Sequence, residues 1–381
     1  MAKKALLTID GTYHKIKKGF LTIDGIYRKV KKAYITIGGV YRPCWSGGGK
    51  IEYYGTIKEL PFSGAVAAAV STADWAYFLN ADGDSICFYD DSLTYSENQP
   101  PELPNMAGTS LKMSVREGMV DGAIFGGDSD FSGEVWAYYN YSRNSGELSV
   151  ARKEVAAASV GDYALFAGGL TGSSSRTDCV DTVDAFDKSL TRTTPTPLRI
   201  DRCRHFSASV GNYALFAGGL SSSQYPYTMS AEVYDASLTR IDNTGIYSPS
   251  HQYVATASTK AFAFFAYESE VYAIDKSLTM ILAPMLSEEY HTPSGATGIE
   301  GFAIFGGGYS DENSHTASVD AYDSSLTRTK MTDLSVGREG VKAASVGSYA
   351  LFAGGYYATG SDKGKETVEL DTVDAYVYAE E

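Results

Sequence analysis

The eleven residues SVGxYALFAGG occur three times, at 159–169, 209–219 and 345–355, and differ only at Asp162, Asn212 and Ser348. Repetition constrains a fold strongly, because each copy must form the same unit and bury its apolar face on its neighbours. Weaker copies stand at 75–81 (WAYFLNA), 122–128 (GAIFGGD), 262–268 (FAFFAYE) and 302–308 (FAIFGGG). Their common alanines are Ala76, Ala123, Ala164, Ala214, Ala263, Ala303 and Ala350, spaced 40 to 50 residues apart. The chain therefore holds seven units.

Each unit has one internal order. A small-residue run (VAAASV, 155–160) precedes YALFAGG. A polar Gly/Ser/Tyr stretch follows, then VDAFD (183–187) or a relative of it, then SLTRT (189–193) or a looser copy. The runs are short, β-branched or aromatic and bounded by turn residues, which predicts four antiparallel strands, a to d. An Asp two residues before Ser in DxSLT suits a tight turn, since its carboxylate reaches the backbone two residues on. Four-stranded sheets repeated radially make a β-propeller with only short, protected edges. The Ala/Ser-rich strand a belongs at the crowded axis, and the glycine pair after strand b allows close backbone approach. The seventh unit ends at VDAYVYAE (373–380) without a strand d. The segment YYGTIKEL (53–60) resembles the missing strand, so the expected propeller spans 50–381, closed by 53–60.

Residues 1–49 follow another period. LTIDGTYHKIKKGF (7–20), LTIDGIYRKVKKAY (21–34) and ITIGGVYRPCW (35–45) repeat every fourteen residues around Asp-Gly and Gly-Gly turns, a β-hairpin signature. So small a module buries little surface by itself. It calls for other copies of itself, as in a homo-oligomer, or for a particle to dock on; alternatively its lysines merely solubilise exposed strands. Candidate docking residues are Lys15, Lys17, Lys18, Arg28, Lys29, Lys31 and Lys32. Charge divides the same way. Residues 1–50 hold eleven Lys/Arg and two acidic residues, within a chain of net charge −14. An acidic propeller argues against nucleic acid as a partner. No apolar run approaches a membrane span, and MAKKALLTIDG lacks the apolar core of a secretory signal. Four scattered cysteines without CxxC spacing suggest free thiols, although Cys179 and Cys203 fall near each other in the propeller.

The glycine pair, the unit length and the strand order over 50–381 resemble kelch-type propellers. Kelch copies usually carry a Trp in the later strands, whereas this chain has only Trp45, Trp75 and Trp136, so the match is one of architecture. The wording SVGxYALFAGG…VDAYDxSLTRT after a GGVYR leader resembles kelch-like proteins in tail modules of phages and prophages of Gram-positive bacteria. That resemblance implies a virion location in the tail or baseplate after synthesis in the host cytoplasm. It also implies partners among other tail proteins through 1–49, and a host cell-surface glycan or protein bound by the propeller.

Two sets of residues are candidates for that binding. Twelve positions before the common alanine stand Arg152, Arg202, His251, His291 and Arg338 in units three to seven. A ring of cations at one channel mouth suits carboxylates, phosphates or acidic sugars. The alternative is that each ties to a neighbouring blade's Asp or carbonyl and holds the ring together; the kelch resemblance supports it, since kelch repeats often carry Arg near there. The b–c connections are the most varied segments and are rich in Tyr, Ser and Gly, the composition of adaptable recognition loops. Tyr225, Tyr227, Tyr309, Tyr356 and Tyr357 are the candidate contacts there.

No catalytic motif stands out: HExxH, CxxC and GxSxG are missing, and no cofactor is expected. The acidic stretches ADGDS (81–85) and GDSDFSGE (127–134) fall short of an EF-hand loop, and no metal site is expected. The expected activity is therefore binding, not catalysis. Purely structural decoration of a virion is one alternative. A propeller glycosidase is another, and would require arginines, a tyrosine nucleophile and a carboxylate converging in the channel mouth.

Overall fold

The computed structural model describes residues 6–380, except 10–11, 16–19, 24–25, 30–31, 38–39, 47–48, 63–64, 99–105, 116–117, 140–141, 173–175, 224–229, 243, 248–253, 290, 311–313 and 360–365; for 6–46 and for 112, 114–115, 118–120, 142, 176, 314 and 380 only the backbone is described. It is an all-β, seven-bladed propeller. One 3₁₀ turn, Arg176–Asp178, is the only helical element among the described residues. No helix there is long and apolar enough to cross a membrane.

Each of the seven four-stranded sheets is one blade. In blade 3 the strands are Ala156–Val160 (a), Tyr163–Ala167 (b), Val183–Phe186 (c) and Arg192–Thr193 (d). Strand a of the seven blades begins at Val66, Ala107, Ala156, Phe206, Ala255, Gly295 and Lys342. The two faces of a sheet pack on the two neighbouring blades, so the core lies in the seams. Ala158, Leu165 and Val183 of blade 3, for example, bury themselves with Ala214, Phe216 and Tyr234 of blade 4.

The repeated words acquire physical roles here. In DxSLT, Asp187 Oδ1 accepts the amides of Ser189 (2.8 Å) and Thr191 (2.9 Å), and Asp90, Asp235, Asp275 and Asp323 repeat the pattern. The turn forces the leucine that follows the serine into a positive φ of 59–64° at Leu93, Leu190, Leu238, Leu278 and Leu326. Such a backbone is strained for a residue with a side chain. Burial compensates, since each of these leucines packs into a seam. The glycine pair is a steric necessity: a Cβ on Gly168 (φ +61) would lie 2.3 Å from Arg202 O, and one on Gly169 (φ +109) 2.6 Å from Lys153 O.

At the axis, the seven innermost strands surround a tunnel of about 280 Å³ lined by small residues, including Ser71, Ser110, Ser159, Ser209, Ser258 and Ser345. Hydroxyls bridge the gaps between these strands. Ser207 Oγ donates to Ala157 O (2.6 Å) and Ser209 Oγ to Ser159 O (2.7 Å).

The outermost strand of blade 7 is Gly49–Thr56, paired beside Val373–Glu380. It lies four residues earlier than the expected 53–60, because the chain leaves the ladder after Thr56. Ile57 N and Leu60 N still donate to Val373 O (3.0 Å) and Asp371 O (2.8 Å). The chain divides into two compact units, Glu52–Val377 and Met1–Ile51 with Tyr378–Glu381. In the latter lie three hairpins: Leu6–Ile9 with Thr12–Lys15, Phe20–Ile23 with Ile26–Lys29, and Lys32–Ile37 with Val40–Ser46. The fourteen-residue period is a shared register, which aligns Thr8, Thr22 and Thr36 with Tyr13, Tyr27 and Tyr41.

Candidate functional site

The arginine column is corrected by the structure. Arg152, Arg202 and Arg338 are fully buried. Arg152 donates to Gly168 O (2.7 Å), Phe166 O (3.2 Å) and Val150 O (2.9 Å), and pairs with Asp184 at 2.8 Å. Arg338 repeats this with Gly354 O, Phe352 O, Val336 O and Asp374 (2.9 Å). Arg202 reaches Gly218 O, Ser230 O and Glu232 (2.9 Å). Each guanidinium thus fastens strand b to strand c inside its own blade and is not presented to an anionic ligand in the channel. His291 takes the same place in blade 6, is buried too, and donates from Nε2 to Gly307 O at 2.7 Å. Burial pushes the His291 imidazolium below its ordinary range, against the opposing pull of Gly307 O and Glu288. His251 lies outside the described residues.

The partner carboxylates were the missed signal. In strand c, the residue opposite the phenylalanine of strand b is Asp184, Glu232, Asp320 and Asp374 in blades 3, 4, 6 and 7. It is Cys87, Trp136 and Tyr272 in blades 1, 2 and 5, none of which bears an arginine at the entry to strand a.

The cysteines need a second correction. Cys179, in the b–c connection of blade 3, forms a disulfide with Cys203 at the entry to blade 4, with the Cα atoms 5.4 Å apart. The two packed with Leu170 and Leu220 across that seam, while Cys87 is free and buried.

The b–c face carries the remaining candidates. Tyr225 and Tyr227 lie outside the described residues. Tyr309 and Tyr356 each begin an extra hairpin, Tyr309–Ser310 with Ser314–His315 in blade 6 and Tyr356–Thr359 with Glu366–Glu369 in blade 7. Tyr309 is 41 % exposed; Tyr356 and Tyr357 are half-buried. The blade 6 hairpin is fastened by Glu288, which accepts Ser310 Oγ (2.5 Å) and Thr316 Oγ1 (2.6 Å). Burial raises the Glu288 pKa, but these hydroxyls and His291 outweigh it and hold the carboxyl below its usual range. His315, which the sequence did not single out, joins the two hairpins. Its Nε2 accepts the Ala358 amide at 2.8 Å, and its ring stands 6.3 Å from that of Tyr356. The outcome is a joined wall of Tyr309, His315, Tyr356 and Tyr357 above blades 6 and 7. By contrast, blade 5 turns from strand b to c at Glu268–Ser269 alone.

The acidic stretch at 127–134 closes on itself: Asp128 accepts the amides of Asp130 and Ser132, both at 3.0 Å. Among the described residues, no group of three or more His, Cys, Asp and Glu side chains is gathered to hold a metal. Of the docking residues, Lys15, Arg28, Lys29 and Lys32 lie on the described hairpin strands; Lys17, Lys18 and Lys31 lie outside the described residues.

No family model matches the chain. No curated protein sequence matches it either. Solved structures do. One described as the structure of YjhT superposes with a TM-score of 0.50 at 11% identity, over 82% of this chain and 99% of that one. A streptogramin B lyase superposes with a TM-score of 0.54 at 11% identity, over 87% of this chain and 98% of that one. At that identity the likeness is one of fold.

Proposed function

We propose that the propeller is a recognition scaffold whose b–c face binds a glycan or protein on a bacterial surface, within a phage tail or baseplate to which residues 1–49 attach it. One observation carries the reading. The blades share one four-stranded order, and five of them share the same Asp-capped turn, yet their b–c connections range from a two-residue turn in blade 5 to hairpins bridged by His315 in blades 6 and 7. Uniform supports beneath varied, tyrosine-bearing loops suit recognition, because aromatic side chains give contact area at little entropic cost. The phage setting rests on the resemblance of the repeat wording and on the opposite charges of leader and propeller.

The test is saturable binding of the labelled full chain to intact Gram-positive cells, beside a variant carrying Tyr309→Ala and Tyr357→Ala. The expected result is a loss of about tenfold or more in affinity with an unchanged melting temperature, as for exposed aromatic anchors. Absence of binding to every strain in a broad panel overturns the reading and favours structural decoration. One fold neighbour is described as a lyase. Independently of that likeness, turnover of chromogenic glycosides by the wild-type chain would replace binding with catalysis.

A further inference from the structure

Antiparallel strands place the a–b turns on the end of the propeller opposite the b–c connections. There, blades 4, 5 and 6 surround a cavity of about 630 Å³. This lies within the range of small-molecule sites. It shares Ser209, Ser258 and Gly298 with the axial tunnel, so it opens at the tunnel's lower mouth.

Two exposed lysines line it, Lys260 on the a–b turn of blade 5 and Lys276 on the c–d turn of the same blade. Neither ammonium has an ion pair or hydrogen bond among the described residues. That contrasts with Arg152, Arg192, Arg199, Arg202, Arg204, Arg240, Lys330 and Arg338, which all meet carboxylates. Glu300 stands on the blade 6 side of the cavity and Asn212 on the blade 4 side.

The other blades act as internal controls. Where blade 5 has Lys260 in its a–b turn, three places before the common alanine, blades 3, 4 and 7 have Gly161, Gly211 and Gly347 and blade 6 has Glu300. Where it has Lys276, blades 1, 3, 4 and 6 have Asp91, Lys188, Ala236 and Ser324. Blade 5 alone among these carries lysine at both places. Lys276 lies against Gly211 of blade 4, where a Cβ would stand 3.2 Å from its Cγ. Its stem is thereby laid along the seam beside the cavity.

We propose that this cavity binds an anionic sugar, a hydroxylated ring bearing one carboxylate or phosphate. The two ammoniums meet the anionic group with charge-assisted hydrogen bonds. The Asn212 amide and the Glu300 carboxylate are left for ring hydroxyls, beside the O–H of Ser258, whose oxygen accepts the Ser209 amide at 2.9 Å; this is a mixture of donors and acceptors that a bare inorganic anion does not use. The site is separate from the b–c face and stands or falls independently of it.

Titration calorimetry on the full chain tests this with glucuronate, glucose 6-phosphate, glucose and inorganic phosphate, and repeats it on a variant carrying Lys260→Met and Lys276→Met. At least one sugar acid binds, and glucose binds about tenfold more weakly or worse, since one charge-assisted bond is worth about that factor. The double variant loses about the same factor while its melting temperature stays put. Salt weakens the interaction, because exposed charges are screened. The stronger of the two acids identifies a carboxylate or a phosphate source. The proposal is overturned if neither acid binds, if the double variant binds as well as wild type, or if inorganic phosphate binds as tightly as the better acid.

Discussion

Blades 3 and 6 place different chemistry in one buried position. In blade 3, Arg152 fills it and meets Asp184, and both are wholly buried. In blade 6, His291 fills it, and the corresponding Asp320 is also buried. There the carboxylate is served by Ser287, whose amide (2.9 Å) and hydroxyl (2.8 Å) both reach Oδ2, while Oδ1 has no hydrogen-bond partner among the described residues. The shorter imidazole still reaches the glycine carbonyl and so preserves the link to strand b. It gives up the link to strand c. The ring therefore tolerates loss of the ion pair in a blade provided that the carbonyl after strand b keeps a donor.

The largest effect should come from leaving a carboxylate buried without its cation. Arg152→Met is expected to cost about 3–5 kcal/mol, and addition of Asp184→Leu to recover most of it. Urea unfolding midpoints measure both. The parallel change His291→Met removes a neutral group and one hydrogen bond, and should cost about 1–3 kcal/mol. Equal losses in the two blades would erase the distinction.

The converse exchange is next. His291→Arg supplies the cation that Asp320 lacks, in a setting that blades 3 and 7 show to be roomy enough. A gain of about 1–2 kcal/mol at neutral pH is expected, as for a hydrogen bond to a charged group. A loss would mean that blade 6 has repacked around the smaller ring.

The smallest effect concerns pH. His205 stands where blades 3 and 7 have Val155 and Val341, and neither ring nitrogen has a hydrogen-bond partner among the described residues. Burial, then Arg202 and Arg152, pushes its pKa well below the ordinary value. His291 is shifted the same way by burial. Unfolded, both rings take up a proton near pH 6.5, while the folded rings stay neutral. The unfolded state then binds more protons, so stability falls as pH drops below about 6.5, by at most ~1.4 kcal/mol per pH unit for each ring. His205→Val should remove one such share of the slope between about pH 6.5 and 5. An unchanged slope would show that His205 is already protonated in the fold.

The seven units, their strand order and the tight DxSLT turn were legible because near-identical words mark equivalent positions in space. The fate of the arginines was not. A period fixes where Arg152 sits along the chain, but its side chain turns back beneath the glycine pair toward strand c. The acidic residue that accompanies each buried arginine was visible in VDAF and AEVY, once the two positions are considered together. Cys179 and Cys203 meet only because a long b–c connection of one blade ends beside the entry to the next. The joining role of His315 depends on a hairpin in the following blade. The lower cavity is built from Asn212, Lys260 and Glu300, on turns of three different blades, and no local window contains it.

Closure of the ring has a consequence in time. Tyr53 OH donates to Asp374 Oδ1 at 2.7 Å across 321 positions of chain, and the Tyr53 ring packs on Tyr376 at 5.3 Å. During synthesis at about 5–20 residues per second, the strand that completes blade 7 waits on the order of half a minute for its neighbour to emerge. Until then its backbone edge and the seam between blades 7 and 1 stay open, and joining such distant segments is entropically slow. Blades 1 to 6 are able to assemble in order as they are made, whereas completion of the disc is a late, separate event. A nascent chain halted before residue 373 would be held as an open arc with two adhesive ends.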